Sequence, residues 1–221
     1  MKILYEDRDI VAVSKPAGVL SELTGNKQSV PLLLKEYFEG RGHKSEIFTV
    51  HRLDRDVAGV MVLARTQKAA SNLSVQIANR KVTKKYLAVI KGVPEKTEDT
   101  LNDLLFRDAS KGKTFVVDRM RKGVRDASLA YKVLSSAEGY SLVEIELFTG
   151  RTHQIRVQFA FRSLPLYGDG RYGSGDGGHT PALYCKEMTF LHPYTGKETK
   201  IEDLPDFSLY PWSIFEDMFN S

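Results

Sequence analysis

The spacing of apolar and polar positions predicts a chain in which strands outnumber helices. Short β-branched and aliphatic runs, some alternating and some continuously apolar, are bounded by turn-forming residues. One pair of runs brackets Ala137-Glu138-Gly139, which is typical of a hairpin. The predicted strands are 9–13, 60–64, 86–90, 127–134, 140–148 and 183–191.

Three helices are predicted among these strands. The first begins at Ser29 and stops near Gly40, and the second covers 68–79, where apolar residues recur every fourth position. A third begins beyond residue 150 with Thr152 as its N-cap. Strands and helices do not alternate regularly, which favours an α+β fold with a mixed, mostly antiparallel sheet over a doubly wound parallel fold.

Length and composition fit a globular protein. The chain has 221 residues, 42% of them hydrophobic and 27% charged, and we expect a single domain over 1–221. It has no run of 18 apolar residues, and acidic residues interrupt its first segment, so we expect no membrane span and no export signal. The single cysteine, Cys185, forms no internal disulfide. We therefore expect a cytoplasmic protein.

The net charge of +4 is small, but the cations are clustered. Clusters of this kind either bind a phosphate backbone or form a solvated face. A glycine-rich stretch at 168–178 lacks the spacing of a nucleotide-binding loop and is expected to be a mobile surface loop. The clustered cations are Arg80, Lys81, Lys84 and Lys85, then Arg119, Arg121, Lys122 and Arg125, then Arg151, Arg156 and Arg162.

The densest polar cluster is HRLDRD at 51–56, between two apolar segments. Arginines beside Asp54 would keep its carboxylate ionised, and such a carboxylate can attack an electron-poor carbon. The same residues also fit a salt bridge on a loop. A metal site would draw on His51, Asp54 and Asp56, with His153 and His179 elsewhere, but no metal-binding spacing is present.

Two further groups carry candidate chemistry. The segment TGRTHQIR at 149–156 places arginines at a helix start, where a phosphate can bind, although a well-capped helix with solvent-facing arginines has the same pattern. Tyr86 heads a strand beside Lys84 and Lys85. Its ring could stack on a base while the lysines hold phosphates, or it could be an ordinary strand aromatic.

These segments together resemble a known family. HRLDRDVAGVMVLART (51–66) closely resembles the HRLDxxTSGLLLLAK signature of the RluA-type RNA pseudouridine synthases. Other segments agree with the family's motifs in the same order along nearly the whole chain. They are YEDRDIVAVSKPAGVL (5–20), KKYLAVIKG (84–92), TGRTHQIRVQFAFRSLPLYGDGRYG (149–173) and HPYTGKE (192–198).

The resemblance implies a pseudouridine synthase fold with a central cleft, and isomerisation of uridine in structured rRNA or tRNA without cofactor or metal. It makes Asp54 the catalytic aspartate, Tyr86 the tyrosine that packs on the target base, and Arg156 the basic partner of Asp54. Arg52 would fill the space that a flipped uridine leaves. The aspartate could act on C1′, on uracil C6 or on a ribose proton, and the sequence leaves these open.

The expected partner is therefore an RNA stem-loop, with no membrane and no obligate protein partner. The resemblance begins at the first motif, so we expect no N-terminal RNA-binding module. Two rival functions remain: a non-catalytic RNA-binding module, and a metal-dependent hydrolase that uses His51, Asp54 and His153. Besides Arg52, the residues expected to contact RNA are His51, Arg55, Lys84, Lys85, Arg151 and His153.

Overall fold

Antiparallel strand pairs organise the protein, for which a computed structural model describes residues 1–25, 27–43, 45–173 and 180–219. The chain divides into two units. The first comprises Met1–Lys84 and Cys185–Leu204, and the second Lys85–Tyr184 and Pro205–Ser221. The chain therefore leaves the first unit after Lys84 and returns to it at Cys185.

The first unit pairs β1 with β2, β2 and β3 with β4, and β10 with β11, all antiparallel. Helices α1 and α2 complete it. Its strands are β1 Lys2–Glu6, β2 Ile10–Lys15, β3 Phe48–Thr49, β4 Ala58–Ala64, most of β10 Leu183–Leu191 and β11 Glu198–Glu202. Its helices are α1 Val30–Glu39 and α2 Gln67–Ala78.

The second unit is an antiparallel sheet in the spatial order β5, β9, β8, β6, β7. A helix, α3, and a 3₁₀ segment, Trp212–Met218, accompany it. Its strands are most of β5 Thr83–Lys91, then β6 Glu98–Asp108, β7 Lys113–Val117, β8 Val124–Ala137 and β9 Tyr140–Leu147, and its helix α3 is Gln154–Phe161.

Aliphatic side chains from the strands form the buried core of each unit. In the first unit β2 and β4 are buried on both faces, which explains their continuously apolar sequences. In the second unit Leu87, Val89 and Leu142 pack with Ala182 and Phe215. These cores fix the ends of β2, β4 and β5, from which the candidate site residues project.

The predicted α+β class is confirmed, and all six predicted strands are present. Five of the described strands were not predicted, namely β1, β3, β6, β7 and β11. The longest of them, β6, has the sequence EDTLNDLLFRD, with no regular alternation, and the others have five residues or fewer. Strand β6 forms because β7 and β8 supply hydrogen-bonding partners on its two sides. None of the helices in the described ranges is long and apolar enough to cross a membrane.

Candidate active site

Asp54 lies in a tight turn between β3 and β4 of the first unit, where the Val57 amide donates to the Asp54 carbonyl oxygen at 3.1 Å. The residues that flank it, Leu53 and Val57, are buried, whereas Asp54 itself is only half-buried. The alternation of apolar and polar residues in RLDRDV therefore anchors the turn through its apolar positions and leaves the carboxylate near the surface.

Groups from the end of β2 and the segment after it hold the backbone of both residues next to Asp54, Leu53 and Arg55. The Ser21 hydroxyl is buried, donates to the Leu53 carbonyl at 2.7 Å and accepts from the Leu53 amide at 3.0 Å. On the other side, the Lys15 ammonium donates to the Arg55 carbonyl at 2.9 Å, and the Gly18 amide donates to the same oxygen. The backbone of Asp54 is thus fixed from both directions.

Lys15 is a fully buried cation at the end of β2. Its ammonium has three N–H donors, which meet the carbonyl oxygens of Pro16, Val19 and Arg55 at 3.0, 2.7 and 2.9 Å. Burial lowers its pKa to about 8, and the carboxylates of Asp56 and Asp54 oppose that shift. Lys15 therefore ties the segment after β2 to the aspartate turn and places a positive charge near two carboxylates.

His51 is buried, and its Nε2 accepts a hydrogen bond from the Val62 amide of β4 at 3.0 Å. Burial, helped by the Lys84 cation, holds the pKa of His51 well below its usual range. The ring is therefore neutral, and a nitrogen that accepts from a backbone amide cannot also ligate a metal. The contact ties the segment before Asp54 to β4.

Arg52 and Arg55 extend into solvent from the same turn, and each has an acidic neighbour. Arg52 pairs with Glu22 at 2.8 Å, and Arg55 Nε lies 3.7 Å from Asp56. Both guanidinium groups are more than half exposed, so these ion pairs are weak and can be exchanged for phosphate contacts. Lys84, at the end of the first unit, is half-buried, and burial lowers its pKa.

In the second unit, Tyr86 is a buried residue of β5 that sits opposite Ile145 of β9. Lys85 precedes it and sits opposite Glu146. Because neighbouring residues of a strand point to opposite faces, Lys85 and Tyr86 cannot serve one ligand on one face. Lys85 instead belongs to the face that also carries Glu146.

Arg156 is a buried residue of α3 and forms a bidentate ion pair with Asp169. Its Nε donates to Oδ2 and its Nη2 to Oδ1, both at 2.7 Å, and Asp169 is fully buried. Asp169 also accepts from the amides of Arg171 and Tyr172 at 3.1 Å. The ion pair uses two of the five N–H donors of the guanidinium and fixes its plane.

The start of α3 differs from the prediction. The N-cap is His153, in the left-handed conformation with φ 55°, and not Thr152. Thr152 Oγ1 accepts from Arg107 instead, and its carbonyl accepts from the Thr114 hydroxyl. The Thr152 cap prediction is therefore wrong, because β6 and β7, which the sequence did not reveal, supply competing partners.

His153 and Arg151 are both half-buried at this helix start. His153 Nδ1 lies 2.9 Å from the Tyr172 hydroxyl, and Arg151 Nε donates to the Asp126 carbonyl at 2.9 Å. Burial raises the pKa of Tyr172, whose oxygen accepts from the Thr114 amide at 2.9 Å. These contacts join the beginning of α3, β7 and the segment around Asp169 into one polar network.

The glycine-rich segment is described only as far as Gly173, and the rest of 168–178, like His179, lies outside the described residues. Its described part is a turn around the buried Asp169, which the mobile-loop prediction did not foresee. Within 1–25, 27–43, 45–173 and 180–219 no group of three or more His, Cys, Asp or Glu residues could hold a metal ion.

Four polar residues of these networks were not assigned from the sequence: Lys15, Ser21, Asp169 and Tyr172. Lys15 and Asp169 had a readable signal, since each is a charged residue inside a turn motif, KPAG and GDGRYG. Ser21 had none, because a serine in a polar segment is ordinary and only its buried contact with Leu53 distinguishes it.

Comparison with known proteins gives a consistent result. The family model described as RNA pseudouridylate synthase matches residues 9–161. An uncharacterized RNA pseudouridine synthase of Mycoplasma pneumoniae is 34% identical over 91% of this chain. Ribosomal large subunit pseudouridine synthase D of Xanthomonas campestris pv. campestris is 34% identical over 89% of it. The chain spans 66% and 63% of the lengths of these two relatives.

The solved structure of human RNA pseudouridylate synthase domain containing 4 is similar in fold. It superposes with a TM-score of 0.75 at 27% sequence identity, covering 93% of this chain and 89% of the human chain. The fold similarity therefore extends beyond the residues that the family model matches.

Proposed function

Because the chain belongs to the RNA pseudouridylate synthase family, we propose that it converts uridine to pseudouridine in RNA, with Asp54 as the catalytic carboxylate. In this isomerisation the N1–C1′ bond breaks and the uracil turns within the site. A C5–C1′ bond then forms, C5 loses its proton to solvent, and N1 gains one. The atoms of the nucleotide are conserved, so the enzyme must position and stabilise rather than supply a group.

The observation that carries this proposal is the double anchoring of the Asp54 turn. Ser21 holds the backbone of Leu53, just before Asp54, through buried hydrogen bonds, and the buried Lys15 ammonium holds the carbonyl of Arg55, just after it. A carboxylate that must meet one atom of a rotating base needs a fixed backbone, because a misplacement of about 1 Å can cost on the order of 100-fold in rate. A salt bridge on a surface loop needs no such support.

Tyr86 and Arg156 are proposed to complete the chemistry. Tyr86 lies on β5, which pairs with β9, and a buried tyrosine ring offers a flat apolar surface for a uracil extruded from its stack. Arg156 would act as the basic partner of the catalytic aspartate, and its ion pair with Asp169 gives it a fixed orientation.

The exposed cations are proposed to hold the RNA backbone. Arg52, Arg55 and Arg151 reach solvent around the motif segments, and Arg52 remains the candidate for the space left by the flipped nucleotide. We propose a backbone-anchoring role for His51, in view of its buried contact with Val62.

For the substrate, large-subunit ribosomal RNA is our first candidate. The Xanthomonas relative carries the name ribosomal large subunit pseudouridine synthase D. The similarity to it covers 89% of this chain. Transfer RNA is the comparison substrate. A family resemblance alone does not select between the two, since both present stem-loops to such enzymes.

The test is tritium release from RNA labelled at uracil C5, with unmodified ribosomal and transfer RNA transcripts as substrates. The wild-type protein should release tritium, and Asp54→Asn should release none while it binds the same RNA. Asp56→Asn is the matched control, because it removes a half-buried carboxylate two residues away in the same turn. Normal release by Asp54→Asn would remove Asp54 from the catalytic role.

The two rival functions give different outcomes in the same assay. A non-catalytic RNA-binding module would bind the transcripts and release no tritium in any variant. A metal-dependent hydrolase would cleave the RNA and would lose activity after chelation. The contact of His51 Nε2 with the Val62 amide opposes the second rival, because that nitrogen has no lone pair left for a metal.

A further inference from the structure

We propose that Asp169 is the positioning residue for Arg156, a proposal that rests on the proposed function. The two side chains form a bidentate pair in which both N–O distances are 2.7 Å. Arginine has a long, flexible stem, and a fork-to-fork contact with a carboxylate restricts both its reach and its plane. Asp169 therefore decides which edge of the guanidinium is presented to the reaction.

The carboxylate is itself held in place by the backbone around it. Oδ1 accepts from the amides of Arg171 and Tyr172, and the Gly173 amide donates to the Asp169 carbonyl at 3.0 Å. Gly168, just before it, has φ +72°, a conformation that favours glycine. The turn thus carries Asp169 as a rigid acceptor rather than as a mobile side chain.

A second contact supports the same guanidinium. The Tyr172 ring centroid lies 5.3 Å from Arg156 Cζ, and the Tyr172 hydroxyl is fixed by the Thr114 amide of β7 at 2.9 Å. A cation over an aromatic face is attracted to it. The turn that contains Asp169 and Tyr172 therefore holds Arg156 in two ways, by the ion pair and by the aromatic ring. Neutralising a buried charge would need only the ion pair.

Asp169 cannot contact RNA itself, because it is fully buried. Its loss should therefore leave RNA affinity nearly unchanged and slow the isomerisation. This separation of rate from affinity distinguishes a positioning residue from a phosphate-binding one.

The experiment compares Asp169→Asn with Asp103→Asn, a residue of β6 whose carboxylate pairs with the other arginine of the α3 region. Asp103 pairs with Arg162, at the end of α3, with N–O distances of 2.9 and 3.1 Å, and also accepts from Gln158. Both variants remove a largely buried acid that pairs with an arginine of the α3 region, and both should lower the melting temperature. Only Asp169→Asn should reduce the single-turnover rate of tritium release, by at least about tenfold, with the RNA Kd changed by less than about twofold.

A double-mutant cycle with Arg156→Lys tests whether Asp169 acts through Arg156. Lysine keeps the charge but not the fork, so Asp169→Asn should cost little further rate in that background. Equal rate losses in both backgrounds would overturn the proposal, as would a wild-type rate for Asp169→Asn. If Asp169→Asn does not fold, Asp169→Glu replaces it in the cycle, with the same criterion, because it keeps the charge but displaces the carboxylate from the guanidinium fork.

Failure of the proposed function has a separate signature. A folded wild-type protein that releases no tritium from any transcript would overturn the proposed function, and the role of Asp169 with it. An active wild-type protein whose rate depends equally on Asp103 and Asp169 would overturn the role of Asp169 alone.

Discussion

At the scale of single residues, the positive charge of Lys15 determines how many backbone carbonyls its side chain can hold at the aspartate turn. Its buried ammonium satisfies three carbonyl oxygens, and one of them belongs to Arg55, directly after Asp54. A neutral amine has only two N–H donors, so deprotonation releases one carbonyl. Because the pKa of Lys15 is lowered to about 8, this deprotonation occurs at a pH at which RNA modification can still be assayed.

We therefore expect the single-turnover rate to fall as the pH rises through about 8. Lys15→Met should be slow at every pH and should lack this alkaline decline, and a rate–pH profile from pH 6 to 9.5 checks both. Lys2→Met, which removes a lysine from an exposed ion pair with Asp203, is the control and should keep the wild-type profile. A wild-type rate that is flat across this range would contradict the prediction.

Global unfolding would not mimic this decline through Lys15. The pKa of Lys15 is lowered in the folded state from 10.5 to about 8, so between these values the unfolded chain binds more protons. The free energy of unfolding then rises with pH over this window as far as Lys15 is concerned. A loss of rate together with unchanged or higher stability would assign the effect to the turn.

At the scale of elements, Gly59 shows why β4 can lie beside β10. It has φ +114°, and a Cβ at this position would lie 2.3 Å from the Cys185 carbonyl oxygen, which is backbone and cannot move aside easily. The glycine follows the aspartate turn closely, since β4 begins at Ala58. The close approach of β4 to β10, just after the aspartate turn, thus depends on one residue without a side chain.

Gly59→Ala should destabilise the protein by about 3 kcal/mol or more, from backbone strain and the clash with β10 together. For a chain of this size that corresponds to a fall of about 6–12 °C in Tm. The control is Gly139→Ala in the β8–β9 turn, where φ is +78° but no atom lies within 4 Å of the added Cβ. Its cost should be about 1 kcal/mol, and equal melting temperatures for the two variants would refute the steric argument.

At the scale of the whole molecule, the net charge of +4 conceals an uneven distribution. The segment 119–125, which runs from the β7–β8 connection into the start of β8 and is here called the basic turn, carries Arg119, Arg121, Lys122 and Arg125, all exposed. Arg121 lies over the Phe106 ring, 5.3 Å from its centroid. Elsewhere on the second unit an open depression is lined mainly by acids, namely Glu98, Asp99, Glu144 and Glu146, with Lys132 among them.

Charge removal from the basic turn should weaken RNA binding in a salt-dependent way. For Arg121→Gln combined with Lys122→Gln we expect about a tenfold loss of affinity, and a decrease of about 1–2 in the slope of log K against log salt. The control pair is Lys96→Gln with Lys132→Gln, near the acidic depression, which should change the affinity less than twofold. Equal losses for the two pairs would mean that only net charge matters.

Contacts between residues close in the sequence could be predicted, whereas contacts between residues far apart in the sequence could not. The HRLD segment and the strand that follows it are contiguous, so the sequence indicated both Asp54 and the buried β4. The Ser21 contact with Leu53 joins residues 32 positions apart, and the Lys15 contact with Arg55 joins residues 40 apart. No local pattern reports such pairs, because they exist only after the segments pack together.

The sequence by itself determined the α+β class and the strands at 60–64 and 183–191, and its motifs singled out the candidate site residues, because hydrophobic periodicity and motif spacing are local properties. Only the tertiary structure decided that Lys15 and Ser21 hold the aspartate turn and that Asp169 fixes Arg156. The physical reason is that a buried polar group must find a hydrogen-bonding partner, and chain packing determines which partner lies within reach.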